Sequence, residues 1–244
     1  MVDIHCHILP ASDDGVKTPE EARTMAHIAA MSGVDTIIIT PHCNLPEAAL
    51  DNYISMDLFH RMSSFRDKIS ATGNPIRFYP GAEIFYTPEV PALLRKGLLP
   101  HLAGSRYVLV EFRFNAAPDD IRCGLETIRE ANCIPVLAHP ERYSAVQAAP
   151  IMVDDWIEDG TVIQINKDSL LGDMGKKSRR AACWLLDNGL VHVIASDAHS
   201  ATSRSPALAS VYELVESAYN SAYADRLLEE NPMKIINDQP ILRS

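Results

Sequence analysis

The chain has 244 residues, 47% of them hydrophobic and 22% charged, an ordinary globular composition far from that of a disordered polypeptide. Its 22 Lys and Arg stand against 32 Asp and Glu with no basic tract, which argues against electrostatic binding to nucleic acid or to an anionic lipid surface. The apolar runs are strand-sized, so no membrane insertion is expected. The opening MVDIHCHILP lacks the basic and apolar regions of a signal peptide. The five cysteines (Cys6, Cys43, Cys123, Cys133, Cys183) are scattered and form no CxxC pair. Neither a disulfide framework nor a thiolate zinc knuckle is expected, and a reduced, cytoplasmic setting is.

In chain order, Val2–His7 reads as a first strand. Thr18, Pro19 and Glu21 open a helix as N-cap, first helical residue and capping-box acid, and Gly33 closes it. Asp35–Thr40 is a second strand. A helical stretch from Asp51 ends at Gly73, and Ile76–Glu83 supplies a third strand. Glu89–Lys96 is a short helix before the fourth strand, Tyr107–Phe112. Pro118 opens the next helix, Ile134–Ala138 is a fifth strand, and a proline-interrupted helical region ends at Gly160. Val162–Asn166 and Val191–Ser196 are the sixth and seventh strands, flanking a helix over Lys176–Asn188, and two helical segments follow. The alternation argues for right-handed βαβ units and a parallel sheet in one α/β domain over residues 1–244. Seven such units fit a closed or nearly closed barrel better than an open sheet.

Of the nine histidines, His27 and His60 fall in helices, His101 in a loop and His192 at the start of a strand, and these four read as filler. The other five, His5, His7, His42, His139 and His199, stand at or just beyond the C-terminal end of a predicted strand. Glu83, Glu111 and Asp197 end strands as well, and Asp14 follows the first. In a parallel barrel all these ends share one face. His5 and His7, two apart on a strand, point to the same side, and Asp197 and His199 repeat the spacing. Such a set is costly to bury without cations. Nitrogen and oxygen donors with no thiolate suit Mn²⁺, Fe²⁺ or Zn²⁺. Nine ligands are too many for one ion and comfortable for three. Three divalent ions among four carboxylates leave net positive charge, suited to a compact anion such as phosphate.

The ordered motifs HCHILPASDDG, TPH, GAEI, VEF, AHPER and ASDAH resemble the PHP (polymerase and histidinol phosphatase) superfamily. Together with HPERY, Asn166–Ser169 and SLLGDMGKK, they are similar to its metal-dependent bacterial tyrosine phosphatases of capsule and exopolysaccharide systems. The resemblance runs nearly end to end. It implies a distorted seven-stranded (β/α) barrel, three divalent ions with Mn²⁺ foremost, and protein-tyrosine-phosphatase activity. The implied partner is an autophosphorylating bacterial tyrosine kinase, whose Tyr-rich tail is the substrate. Carried over by position, it puts one metal on His5, His7, Glu83 and Asp197. Glu83 would bridge to a second, held by Glu111 and His139, and Asp14, His42 and His199 would hold the third. Arg142 and Arg204 match the family's phosphate-binding arginines. Ala11 departs from the usual Gly, and the run CNLPEAALDN after His42 is unlike the usual one.

Cys123 and Arg129 have the C-x5-R spacing of thiol-based tyrosine phosphatases, but GLETI between them belongs to a helical pattern with Ile121, Leu125 and Ile128 on its apolar face. Chance is the better account. Lys176, Lys177, Arg179 and Arg180 read as a solvated helix face, with a rim for acidic peptides as the functional option. Cys6 and Cys43 read as packing residues. Tyr53, Phe85, Tyr86 and Phe114 are equally consistent with a hydrophobic mouth and with loop packing. Two other functions keep the same site: a phosphatase of a small metabolite such as histidinol phosphate, and a metal-dependent binder of phosphorylated tails without turnover.

Overall fold

A computed structural model of the chain describes residues 1–241. Its strands are β1 (Val2–Cys6), β2 (Thr36–Ile39), β3 (His42–Cys43), β4 (Arg77–Pro80), β5 (Glu83–Phe85), β6 (Tyr107–Glu111), β7 (Ile134–Ala138), β8 (Val162–Asn166) and β9 (Val193–Ala195). All pair in parallel, in the order β1-β2-β4 in one sheet and β3-β5-β6-β7-β8-β9 in the other. The sheets meet where the ends of β1 and β9 touch. Asp197 N donates to His5 O at 2.8 Å and His7 N to Ala198 O at 2.9 Å. Asp3, fully buried, accepts from Ser196 Oγ at 2.6 Å across the same seam.

Among the described residues this α/β fold has nine strands in two parallel sheets, where the sequence suggests seven strands in one barrel. The difference arises chiefly in the expected third strand. The run from Ile76 to Glu83 breaks at Gly81 and Ala82 into β4 and β5, which join different sheets. A Cβ at Gly81 would lie 2.7 Å from Ile38 Cγ2, so the chain at the break passes too close to β2 for a side chain. The two-residue β3 pairs with β5, setting His42 beside Glu83.

Strand alternation positions the site. Val2, Ile4, Tyr107, Leu109, Val136, Val162, Val193 and Ala195 form one buried apolar cluster. Along the same strand faces, Leu109 is followed two residues on by Glu111, Val162 by Gln164, and Ala195 by Asp197. Each of these faces is thus apolar at one end and polar at the C-terminal end. In β1 the pairing register shifts between Asp3 and Cys6. Beyond that shift His5 and His7 turn to the polar end while Cys6 packs in the larger outer core.

The covering helices follow apolar periodicity. Met56–Ser70 buries Leu58, Met62, Phe65 and Ile69, and Pro118–Glu130 buries Ile121, Gly124, Leu125 and Ile128. Thr18 caps the helix Pro19–Met31 by accepting from Glu21 N at 3.2 Å. Glu21 reaches the Lys17 amide at 3.5 Å rather than that of Thr18, so the capping box is offset by one residue. A short helix, Lys167–Leu171, follows β8 without a sequence signal long enough to predict it. No helix is long and apolar enough to cross a membrane among the described residues.

Candidate metal centre

The nine His, Asp and Glu side chains singled out by sequence lie together at the C-terminal strand ends. Three groups have ligand atoms within 4.8 Å of one another: His5, His7, Glu83 and Asp197; His7, Asp14, His42 and His199; and His42, Glu83 and Glu111. The first group is the set carried over from the resemblance. The second is the expected Asp14, His42 and His199 with His7 added. In the third, His42 stands where His139 is expected. His139 is nonetheless adjacent, its Nε2 lying 2.8 Å from Glu83 Oε1 and 3.9 Å from Glu111 Oε2.

The donor chemistry fits divalent cations. His5 Nδ1 pairs with Gln164 Oε1 at 3.0 Å and His7 Nδ1 with Asp13 Oδ2 at 2.6 Å. Each partner is an acceptor, so each imidazole carries a proton on Nδ1, and Nε2 is the atom left to take either a second proton or a cation. Those two Nε2 atoms stand 3.1 Å apart, both 3.2 Å from Glu83 Oε2 and 3.4 and 3.5 Å from Asp197 Oδ1. Four buried acceptors facing one another repel unless a positive charge lies among them. His42 Nδ1 repeats the pattern: it lies 3.1 Å from both Glu83 and Glu111 carboxylates yet is buried with no hydrogen-bond partner.

Proton affinities carry the same message. Burial opposes the charge on His5, but Glu83 and Asp197 outweigh it and raise its pKa. Burial likewise opposes charge on His7, and Asp13 raises it well above the ordinary value. His42 is pushed up to about 9, against burial, by Glu83 and Glu111. Glu83, against burial, is held well below the usual carboxylate range by His5 and His42. The hydrogen bond from His199 holds Asp14 low. The carboxylates demand positive charge, which a cation can supply in place of protons.

Both arginines border the donors. Arg142 Nη1 lies 3.4 Å and Arg204 Nη2 2.5 Å from the same oxygen, Asp197 Oδ2. The guanidinium of Arg142 stacks 4.4 Å from the centre of the Phe114 ring. With Asp14, His42, Glu83, Glu111, His139, Asp197 and His199, these three line a cavity of about 210 Å³. A larger cavity of about 690 Å³, between the helices Pro19–Met31 and Met56–Ser70, includes none of the nine donors in its lining.

Asp13, Gln164 and Asn166 orient the donors without being foreseen in that role. Asp13 also accepts from His42 N at 2.8 Å, and Asn166 Nδ2 donates to Asp197 Oδ2 at 2.6 Å. Asp13 is the first acid of the SDDG run, so a signal existed for it. Cys123 and Arg129 both sit in the helix Pro118–Glu130, with no loop between them to cradle phosphate. Burial pushes the thiols of Cys6 and Cys43 up, as suits packing residues. The cluster Lys176, Lys177, Arg179 and Arg180 is exposed along a helix, apart from the donors. Of the four aromatic candidates, Phe114 alone lines the donor cavity.

Comparisons with known proteins agree with the geometry. The chain is 33% identical over 252 residues to the tyrosine-protein phosphatase CpsB of Streptococcus pneumoniae, covering 99% of this chain and all of that one. It is 33% identical to the tyrosine-protein phosphatase YwqE of Bacillus subtilis, covering 100% and 94%. A crystal structure from work on these two proteins, described as unique metal-dependent tyrosine phosphatases, superposes with a TM-score of 0.92 at 31% identity, covering 100% of this chain and 97% of that one. The family model for capsular polysaccharide synthesis, CpsB/CapC, matches residues 1–237, and the chain belongs to that family.

Proposed function

We propose that the protein is a metal-dependent phosphatase of phosphotyrosine in proteins, working in the cytoplasm on the phosphorylated tail of an autophosphorylating bacterial tyrosine kinase that regulates capsular or exopolysaccharide synthesis. One observation carries the reading: three sets of metal-type donors and two arginines meet at one cavity. The names of the relatives supply the substrate class. The frame we adopt is a distorted seven-stranded barrel, with β2 and β3 as halves of one interrupted strand and β4 and β5 as halves of another.

The cofactors in this reading are three divalent ions, Mn²⁺ foremost and Fe or Zn compatible with the same donors. His5, His7, Glu83 and Asp197 would hold one, Glu83, Glu111 and His139 a second, and Asp14, His42 and His199 a third. Bound, such ions supply Lewis acidity, drawing charge from phosphoryl oxygens and making water a stronger acid. Asp13 and Gln164 keep the Nε2 lone pairs of His7 and His5 aimed into the site. Arg142 and Arg204 exchange Asp197 for the equatorial phosphoryl oxygens and offset the charge that develops there. A phenol, with a pKa of about 10, leaves with little protonation, so no dedicated general acid is required.

Phe114 favours an aryl ester over a small polar metabolite. It is 45% exposed beside the donor cavity and offers a ring face. Both side-chain amides in the run after His42 are committed elsewhere, that of Asn44 to Phe85 O and Thr87 Oγ1 and that of Asn52 to Ser12 O and His42 O. The test is kcat/KM of Mn²⁺-reconstituted protein on a phosphotyrosine peptide, a phosphoserine peptide and histidinol phosphate. The phosphotyrosine peptide should lead clearly. Equal or better turnover of histidinol phosphate would replace this reading with the metabolite phosphatase.

A further inference from the structure

A second cavity, of about 530 Å³, adjoins the one that holds the donors, and the two share Glu111, Phe114 and Arg142. Together they form a path that leads out past Phe114. Leu45 and Glu47 line the outer part of it along with Phe85 and Arg113. Phe114 is fixed at the junction, because its carbonyl accepts from Ser144 N at 2.8 Å and its ring carries the Arg142 guanidinium. Beyond the junction the outer cavity has one cation of its own. Arg113 lies 5.7 Å from the Phe85 ring centre, and its Nη2 meets Glu47 Oε1 at 2.5 Å with both side chains more than half exposed.

We propose that this outer cavity seats the polypeptide flanking the phosphotyrosine, and that Arg113 selects substrates with an anionic group close to that residue. The inference rests on the phosphatase reading above. A phosphotyrosine whose phosphate reaches the donors must have its main chain outside them, and the shared wall at Phe114 leads that chain into the outer cavity. A flanking carboxylate, or the phosphate of a second phosphotyrosine, then falls near Arg113. Glu47 holds the same guanidinium and competes with the incoming anion. Because the pair is exposed, exchanging one anion for another costs little. Glu47 makes a single contact with the guanidinium, whereas a carboxylate or phosphate that approaches it bidentately makes two parallel hydrogen bonds.

The test uses full-length, Mn²⁺-loaded protein and three phosphotyrosine peptides that differ only beside the phosphotyrosine, with Ala, Glu or a second phosphotyrosine there. Wild-type protein should favour the anionic peptides over the alanine peptide by about fivefold in kcat/KM, mostly through KM, as expected for an exposed charge pair. In Arg113→Ala that ratio should fall to about one, and Arg113→Lys should recover part of it. Glu47→Gln should raise the ratio roughly twofold by lowering KM. The glutamate and phosphotyrosine arms distinguish a carboxylate from a phosphate as the preferred anion. A wild-type ratio of one, or a ratio that survives Arg113→Ala, overturns the proposal. Wild-type protein inert toward p-nitrophenyl phosphate as well as all three peptides would instead overturn the phosphatase reading, and this inference with it.

Discussion

Asp13 lies outside the three donor groups yet orients members of them. Its Oδ2 accepts from His7 Nδ1 and from His42 N, so one carboxylate fixes the tautomer of the first donor and the backbone of the second. Asp13→Ala should therefore weaken metal binding by about 10- to 100-fold, the usual cost of losing a ligand's hydrogen-bond partner. Elemental analysis after dialysis against graded chelator measures it, and unchanged retention would remove Asp13 from the site. Ala11, in the same loop, has φ of +54°, a conformation that disfavours any side chain. Ala11→Gly should thus stabilise the fold by about 1 kcal/mol in urea denaturation, and a loss of stability would show that the alanine methyl earns its place by packing.

At the scale of elements, the strand carrying Glu111 depends on the helix behind it. Gly124 faces the residues that follow β6 and β5, and a Cβ there would sit 2.6 Å from Phe112 Cε1 and 2.9 Å from Tyr86 Cζ, two rings stacked at 4.8 Å. Gly124→Ala should cost about 1–3 kcal/mol by displacing that stack. It should also lower metal content, because Phe112 adjoins Glu111 and its amide is held by the Tyr143 hydroxyl at 3.0 Å. Urea melts and metal analysis check the two effects together. The same elements show what sequence could and could not reveal. Strand ends bearing His and acid were legible because period-two patterns and turn residues bracket them. The division of the run from Ile76 to Glu83 had a visible marker in Pro80-Gly81, a turn dipeptide outweighed by the β-rich residues around it. Two-residue β3 and the helix Lys167–Leu171 are too short to carry a period. The spacing that finds Asp13 and Asp14 does not say which one faces a donor nitrogen and which one braces a ring, because only the folded loop separates those roles.

For the whole molecule, the metal centre is also a source of stability whose size depends on pH. In metal-free protein the carboxylates are balanced by protons on the imidazoles. His42 has a folded pKa of about 9 against an ordinary 6.5, and His5 and His7 are raised as well. A raised pKa on a base means the folded state binds the proton more tightly than the unfolded chain does. The resulting stability is complete below about pH 6.5 and is lost as pH rises through about 9. His199 runs the other way: burial and the charge of His7 lower its pKa, so it adds a penalty only on the acid side of 6.5. Metal-loaded protein follows the opposite course, because ligands must lose protons to bind and the cation then neutralises Glu83 and Asp197 at alkaline pH. The gap in Tm between Mn²⁺-loaded and chelator-treated protein should therefore widen steadily from pH 6.5 to pH 9, with the chelated form doing most of the falling. Thermal melts of both forms across that range decide the matter. Parallel curves would mean that the imidazoles and the metal do not compete for the same carboxylates, and the assignment of His5, His7 and His42 as metal ligands would fall.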